Sequence, residues 1–185
     1  MISSNDFRTG ISIVVDGQIW TVVDFQHVKP GKGSAFVRTR LKNVIRGNVL
    51  EKTFRAGEML KRAIIETREM QYLYKSGDEY HFMDQSNYEQ IHLGHDVLGD
   101  GVDFLKEGMV IEVQFHEGRV IGAFLPNHIE LQVTETDPGF RGDTATNVTK
   151  PATLETGATI QVPLFINPGD HIRIDTRDRK YIGRV

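Results

Sequence analysis

Ile11-Ser12-Ile13-Val14-Val15-Asp16-Gly17-Gln18-Ile19-Trp20-Thr21-Val22-Val23 reads as two strands folded back on a two-residue turn. Asp-Gly between two β-branched runs is a strong hairpin signal, because the favoured turns need positive φ and Gly adopts it without a Cβ clash. The same punctuation recurs along the chain. Ser76-Gly77 separates Tyr72-Leu73-Tyr74 from Tyr80-His81-Phe82, and Glu117-Gly118 separates Val110–Phe115 from Val120–Phe124. In the last third, Ile160-Gln161-Val162 and Ile172-Arg173-Ile174-Asp175 alternate with period two, as half-buried strands do. Helix is scarce. Its best candidate, Asp96 to Glu107, is weakened by Gly99 and Gly101. Regularly spaced short strands predict an all-β chain of three small barrels, SH3-like or OB in type, each about 60 residues long. The expected boundaries give domains 1–64, 65–127 and 128–185. The first is drawn where the charge changes, the second at Pro126-Asn127, since Pro interrupts a strand ladder.

The net charge of -3 over 185 residues hides an uneven distribution. Residues 1–64 hold 11 Lys/Arg against 5 Asp/Glu, residues 65–127 hold 4 against 12, and residues 128–185 hold 7 against 8. A basic first segment can gather phosphates, while an acidic middle keeps the whole molecule from coating nucleic acid indiscriminately. The absence of cysteine excludes disulfides, thiolate metal sites and thiol nucleophiles. No run approaches the roughly 20 apolar residues of a membrane span, and the N-terminus has neither a basic start nor an apolar signal core. A cytoplasmic protein without membrane attachment is the expectation.

The segment His27-Val28-Lys29-Pro30-Gly31-Lys32-Gly33-Ser34-Ala35-Phe36-Val37 carries the most functional information. Strand-like residues flank a tip that cannot be regular strand, since Pro30 fixes φ and removes a donor and two glycines bracket Lys32. Such a tip holds one long cation clear of the barrel, reaching about 10 Å from the body. A plain hairpin turn with a solvated lysine fits the same residues. A phosphate-binding P-loop does not: Gln26 stands where Gly is required and Gly33 where Ser or Thr is required. Beyond the tip, Arg38, Arg40 and Lys42 are spaced by two on a strand paired with its neighbour across Arg46-Gly47. They share one face, a stripe suited to an RNA backbone in preference to a merely solvated surface.

Other constellations point away from catalysis. His92, His95 and Asp96 lack a second ligand pair and read as surface residues. Asp96, Asp100, Asp103 and Glu107 read as a solvated acidic face, and Glu117 beside His116 has no evident orienting partner. No active site, metal site or cofactor is expected. The stretch from Asp137 to Pro151, rich in Gly, Thr and Asn, is too long for a simple hairpin. Its hydroxyls and amides suit hydrogen bonding to splayed single-stranded bases, and a structureless loop suits it equally. A generic single-strand RNA-binding protein is the rival reading. It requires aromatics interleaved with basic residues, whereas Tyr72, Tyr74, Tyr80, Phe82 and Tyr88 lie in the acidic segment.

The tip Lys29-Pro30-Gly31-Lys32-Gly33, the run Val49-Leu50-Glu51-Lys52-Thr53-Phe54, the block from Lys150 to Gly169 and the ending Asp175-Thr176-Arg177 with Tyr181-Ile182-Gly183-Arg184 together resemble the bacterial elongation factor P family. The resemblance implies a KOW-like first barrel and two OB barrels in an L-shaped, tRNA-like arrangement, in a monomer that is not an enzyme. It implies binding to the ribosome between the P and E sites and relief of stalling at consecutive prolines. Lys32, framed by Lys29, Pro30, Gly31 and Gly33, would meet the CCA end of the P-site peptidyl-tRNA and be the substrate of a modifying enzyme. Gly142, Asp143 and Thr144 match the motif that meets the mRNA codon in the E site. Tyr181 and Arg184 match positions near tRNA or small-subunit RNA.

Overall fold

A computed structural model describes residues 1–139 and 148–185. Strands dominate it, in chain order β1 (Ile2–Ser3), β2 (Ser12–Val15), β3 (Gln18–Val28), β4 (Phe36–Asn43), β5 (Val49–Arg55), β6 (Met59–Ala63), β7 (Ile65–Ser76) and β8 (Glu79–Asp84). There follow β9 (Gln90–Leu93), β10 (Val110–His116), β11 (Arg119–Phe124), β12 (His128–Thr136), β13 (Thr149–Leu154), β14 (Thr159–Pro163), β15 (His171–Asp175) and β16 (Lys180–Arg184). They form three antiparallel sheets of order β1-β6-β2-β3-β4-β5, β11-β10-β7-β8-β9 and β14-β13-β12-β15-β16. Compactness groups Met1–Thr67 with Gln114–Gly122 as one unit, and Arg68–Val113 with Ala123–Val185 as a second.

In the first unit the Asp16-Gly17 turn forms as the sequence predicts, with φ of 51° and 73° at its two central residues. That backbone matches the right-handed twist of the strands it joins. Strands β2 and β3 then pair from Ser12↔Thr21 to Val15↔Gln18. Alternation buries Phe7, Ile13, Trp20, Val22, Val37, Leu41 and Phe54 on one side, with Phe7 meeting Phe54 edge-on at 5.6 Å. The sheet closes on itself. Ser4, directly after β1, donates its N–H to the Glu58 carbonyl at 2.8 Å and its hydroxyl to the Arg55 carbonyl at the far end of β5 at 2.6 Å.

In the third sheet the inward positions are Ile129, Leu131 and Val133 on β12, Ala152 and Leu154 on β13, Ile160 and Val162 on β14, and Ile172 and Ile174 on β15. The edge strands β14 and β16 lie against each other, so this sheet curls as well. Leu164, where continued period-two alternation from Ile160 and Val162 would put the next inward residue, is only half-buried, and the fully buried residue is Ile166. β14 ends at Pro163 and a turn follows, so period two no longer governs which residue points inward.

Two further expectations need correction. The helix from Asp96 to Glu107 shrinks to one α-helical turn, α1 (His95–Leu98), followed by 3-10 turns over Gly99–Phe104. Gly99, at φ 62° and ψ -154°, takes a conformation that ends the α-helix after Leu98. Asp96, Asp100, Asp103 and Glu107 are nevertheless all exposed, as a solvated acidic face requires. The Arg179 guanidinium donates to the Asp100 carbonyl and the Asp103 carboxylate, both at 3.1 Å, and lies 4.5 Å from the Phe104 ring centroid. The tip between β7 and β8 is Gly77-Asp78, one residue beyond the expected position, because a register shift between Tyr72 and Tyr74 displaces the pairing.

Candidate functional site

Hairpin β3–β4 pairs out to Val28↔Phe36 and leaves residues 29–35 as its tip. A register shift between Val22 and Asp24 bulges β3 and bends the hairpin arm. Lys29, Pro30, Gly31, Lys32, Gly33 and Ser34 are all exposed. Gly33 sits at φ 113°, where a side chain would be strained, and its position would bring a Cβ 3.7 Å from Pro30 Cγ. Nothing lies within 4 Å of the place a Gly31 side chain would take. The ammonium of Lys32 has no hydrogen-bond or ion-pair partner among the described residues, nor has that of Lys29. A cation framed this way can meet an anionic or polar partner without first breaking a bond of its own.

The basic stripe has the geometry its spacing predicts, with one addition. Arg38, Arg40 and Lys42 point outward, while Val37, Thr39, Leu41 and Asn43 are buried. The inward Thr39 hydroxyl is satisfied by donating to the Lys52 carbonyl at 2.6 Å. Pairing places Arg40 opposite Asp24 on β3 and Glu51 on β5, whereas Arg38 faces Gln26 and Thr53, and Lys42 faces Thr21 and Val49. Directly opposed residues in antiparallel strands share a face. Arg40 therefore stands between two carboxylates, in a shallow groove of about 190 Å³ with Asp24, Gln26, Arg38 and Glu51 around it. Sequence spacing within β4 could not reveal this, because both carboxylates come from neighbouring strands. The turn after β4 is held by Asn43, whose side-chain oxygen accepts the N–H groups of Ile45 at 3.0 Å and Arg46 at 2.8 Å.

In the C-terminal sheet, Gly142, Asp143 and Thr144 lie outside the described residues. The segments on either side of them are tightly anchored. Lys150 is 6% exposed and its ammonium donates to the Asp137 carbonyl, while the Thr136 hydroxyl donates to the Pro151 carbonyl at 2.9 Å. Gly139 is packed so closely that a Cβ there would collide with the Leu164 carbonyl oxygen. Period two along β13 places Lys150 on the inward side with Ala152 and Leu154, a signal present in the sequence though not used above. Tyr181 is half-buried and packs on the core. Arg184 is exposed, with its guanidinium 5.5 Å from the Phe165 ring centroid and 3.9 Å from the Asp170 carboxylate.

The ionisable groups elsewhere are engaged in the fold. Arg177 clamps Asp175 through two side-chain bonds of 3.1 and 2.7 Å and its own N–H, which together hold the Asp175 carboxyl well below the usual range. Burial would push Glu155 up, but the Gln132 N–H and Lys106 ammonium outweigh it and leave the carboxyl low. Glu117, expected to lack an orienting partner, lies 3.7 Å from the Lys61 ammonium and 3.9 Å from His116 Nε2, and His116 Nδ1 is 3.2 Å from the Ile64 carbonyl. His92 lies 3.6 Å from Glu79 and His95 lies 3.8 Å from Asp100. Among the described residues no three His, Asp or Glu side chains gather as a metal site, and no helix is long and apolar enough to cross a membrane.

Three family models match the chain in succession. An elongation factor P KOW-like domain covers residues 3–60, an elongation factor P OB domain covers 65–123, and an elongation factor P C-terminal model covers 129–184. Elongation factor P of Gloeobacter violaceus is 61% identical over 185 residues, spanning 100% of this chain and 99% of that protein. Elongation factor P of a Thermoanaerobacter species is 60% identical, spanning 100% of both. Among solved structures, a translation initiation factor eIF-5A family protein from Naegleria fowleri superposes with a TM-score of 0.54 at 14% identity. It covers 67% of this chain and 96% of that one, and it bears on the fold alone.

Proposed function

The chain belongs to the elongation factor P family, and on that premise we propose that it binds the ribosome between the P and E sites and relieves stalling at consecutive prolines through Lys32. The family consists of non-enzymatic translation elongation factors, so the chemistry of peptide-bond formation stays with the ribosome. The single observation that carries the residue assignment is the ammonium of Lys32, exposed on a Pro/Gly-framed tip and without a partner among the described residues. Proline is a constrained secondary amine, and a nascent run of prolines can hold the peptidyl ester in an unproductive pose. Seating Lys32 against the CCA end restricts that pose and lowers the barrier by positioning, with no proton transfer by the factor. A group added to the Lys32 amine by a modifying enzyme would lengthen its reach.

The remaining assignments follow the same reading. Three modules, 1–64, 65–127 and 128–185, act as one monomer in the cytoplasm. Arg38 and Lys42 lie along the RNA backbone, and Arg40 joins them at the cost of its carboxylate neighbours. Gly142, Asp143 and Thr144 meet the E-site codon, and Tyr181 and Arg184 meet tRNA or small-subunit RNA. The deciding experiment is translation of a reporter with three consecutive prolines, using wild type and Lys32→Ala. Wild type restores synthesis and Lys32→Ala does not, at equal thermal midpoint. Full rescue by Lys32→Ala sinks the assignment, and tighter binding to bare single-stranded RNA than to ribosomes with P-site tRNA sinks the ribosomal reading itself.

A further inference from the structure

Phe165, in the turn after β14, is a large apolar side chain that the C-terminal core leaves exposed, as it does Ile182 and Val185. It is 57% exposed, directly between half-buried Leu164 and fully buried Ile166. A lone exposed aromatic is ordinary on a protein surface and needs no explanation by itself. Its surroundings are not ordinary. Arg184 places its guanidinium 5.5 Å from the ring centroid, and the Asp170 carboxylate lies 3.9 Å from that guanidinium. Asp170 is itself pinned, accepting the Asn167 N–H at 2.9 Å. The arginine is thus oriented over the ring by fixed groups. Gly139, at the base of the segment leading to 140–147, abuts the carbonyl of Leu164, the residue before Phe165.

We propose that Phe165, with Arg184 beside it, is a stacking platform for one unpaired RNA base. The inference rests on the ribosomal reading above and extends it to a residue that reading does not use. A flat π-surface with an adjacent guanidinium matches a nucleotide, which presents a π-face and a phosphate together. Such stacking tolerates any base, because every base has a π-face. An apolar protein partner would be served as well by an aliphatic side chain and would not favour a cation beside it. Arg184 is itself directed to RNA by the functional reading, which makes the platform continuous with that surface.

The test compares the full chain with Phe165→Leu and Phe165→Trp, by affinity for ribosomes carrying P-site tRNA and by chemical probing of RNA bases in the complexes. Leu keeps apolar bulk without a π-face, and Trp keeps the face. Phe165→Leu should bind about tenfold more weakly at an unchanged thermal midpoint, Phe165→Trp should bind like wild type, and one base protected in the wild-type and Trp complexes should become reactive in the Leu complex. Wild-type affinity and protection in Phe165→Leu overturn the platform. So does an affinity loss with every base still protected, which marks an apolar contact to protein. The Lys32→Ala variant separates the two failures. If it loses rescue while Phe165→Leu behaves as wild type, only the platform falls; if the wild-type chain does not bind ribosomes, both fall.

Discussion

The cations of the β3–β4 hairpin and those of the C-terminal sheet are put to opposite uses. Lys32, Arg38 and Lys42 are exposed and make no ion pair among the described residues. In the C-terminal sheet Arg173 pairs with Glu130 at 2.8 Å, Arg177 with Asp175 at 2.7 Å and Arg179 with Asp103 at 3.1 Å, and Lys150 is buried under the Asp137 carbonyl. The difference shows why a count of basic residues says little about nucleic-acid binding. A guanidinium already bonded to a carboxylate must give up that bond before it can neutralise a phosphate, whereas an unpaired lysine exchanges only water. The exposed cations of the hairpin are open to an anionic partner, whereas Arg173, Arg177 and Lys150 are tied into the sheet.

The sharpest way to break that contrast is through stability. Lys150→Ala removes buried methylenes and leaves the Asp137 carbonyl without its donor, so it should cost about 2–3 kcal/mol. Lys150→Met, which keeps the stem, should recover part of that loss. Lys32→Ala should fall within about 0.5 kcal/mol of wild type, as an exposed substitution far from any partner does. Urea unfolding of the three variants decides the matter. A loss in Lys32→Ala comparable to that in Lys150→Ala would erase the distinction.

Within the stripe, Arg40 tests the contrast at closer range. Arg40→Ala removes two cross-strand pairs, with Asp24 and Glu51, and should lower stability by roughly 0.5–1 kcal/mol. Arg38→Ala has no such pair to lose and should leave the unfolding midpoint unchanged. Its effect should fall on ribosome binding, where the dependence of affinity on salt should flatten by about one counterion. If Arg38→Ala leaves both the affinity and its salt dependence untouched, the stripe is a solvated face.

The smallest effect concerns pH. Arg177 depresses the folded-state pKa of Asp175, so the stabilisation is fully present above the ordinary carboxylate pKa of about 4 and is lost as the pH falls toward the folded value. The stability gap between wild type and Arg177→Ala should therefore narrow progressively below about pH 4. Denaturation midpoints across the acid range measure it. A constant gap would show that the Arg177 clamp does not set the ionisation of Asp175.

The amino-acid sequence by itself determined the all-β character, the hairpin turns at Asp16-Gly17 and Glu117-Gly118 and the exposure of the Lys32 tip. All three rest on local causes: period-two alternation, glycine at positive φ and proline at a strand end act within a few residues of themselves. The site was legible to the same extent. Lys32, Arg38 and Lys42 lie where the pattern sends them, and the resemblance carried by Lys150 to Gly169 agrees with the family the comparisons show. Only the tertiary structure decided which charges were already spent. Register sets Asp24 and Glu51 opposite Arg40 from two other strands, Arg179 meets Asp103 across a separation of 76 residues, and Arg184 on β16 meets Phe165 in the turn after β14. It likewise decided that Ile166 fills the core where period two alone would place Leu164, since the choice follows from the turn after Pro163. Sequence spacing reports which face of its own strand a residue takes. The partner waiting on that face is set by register, which depends on the packing of every strand at once.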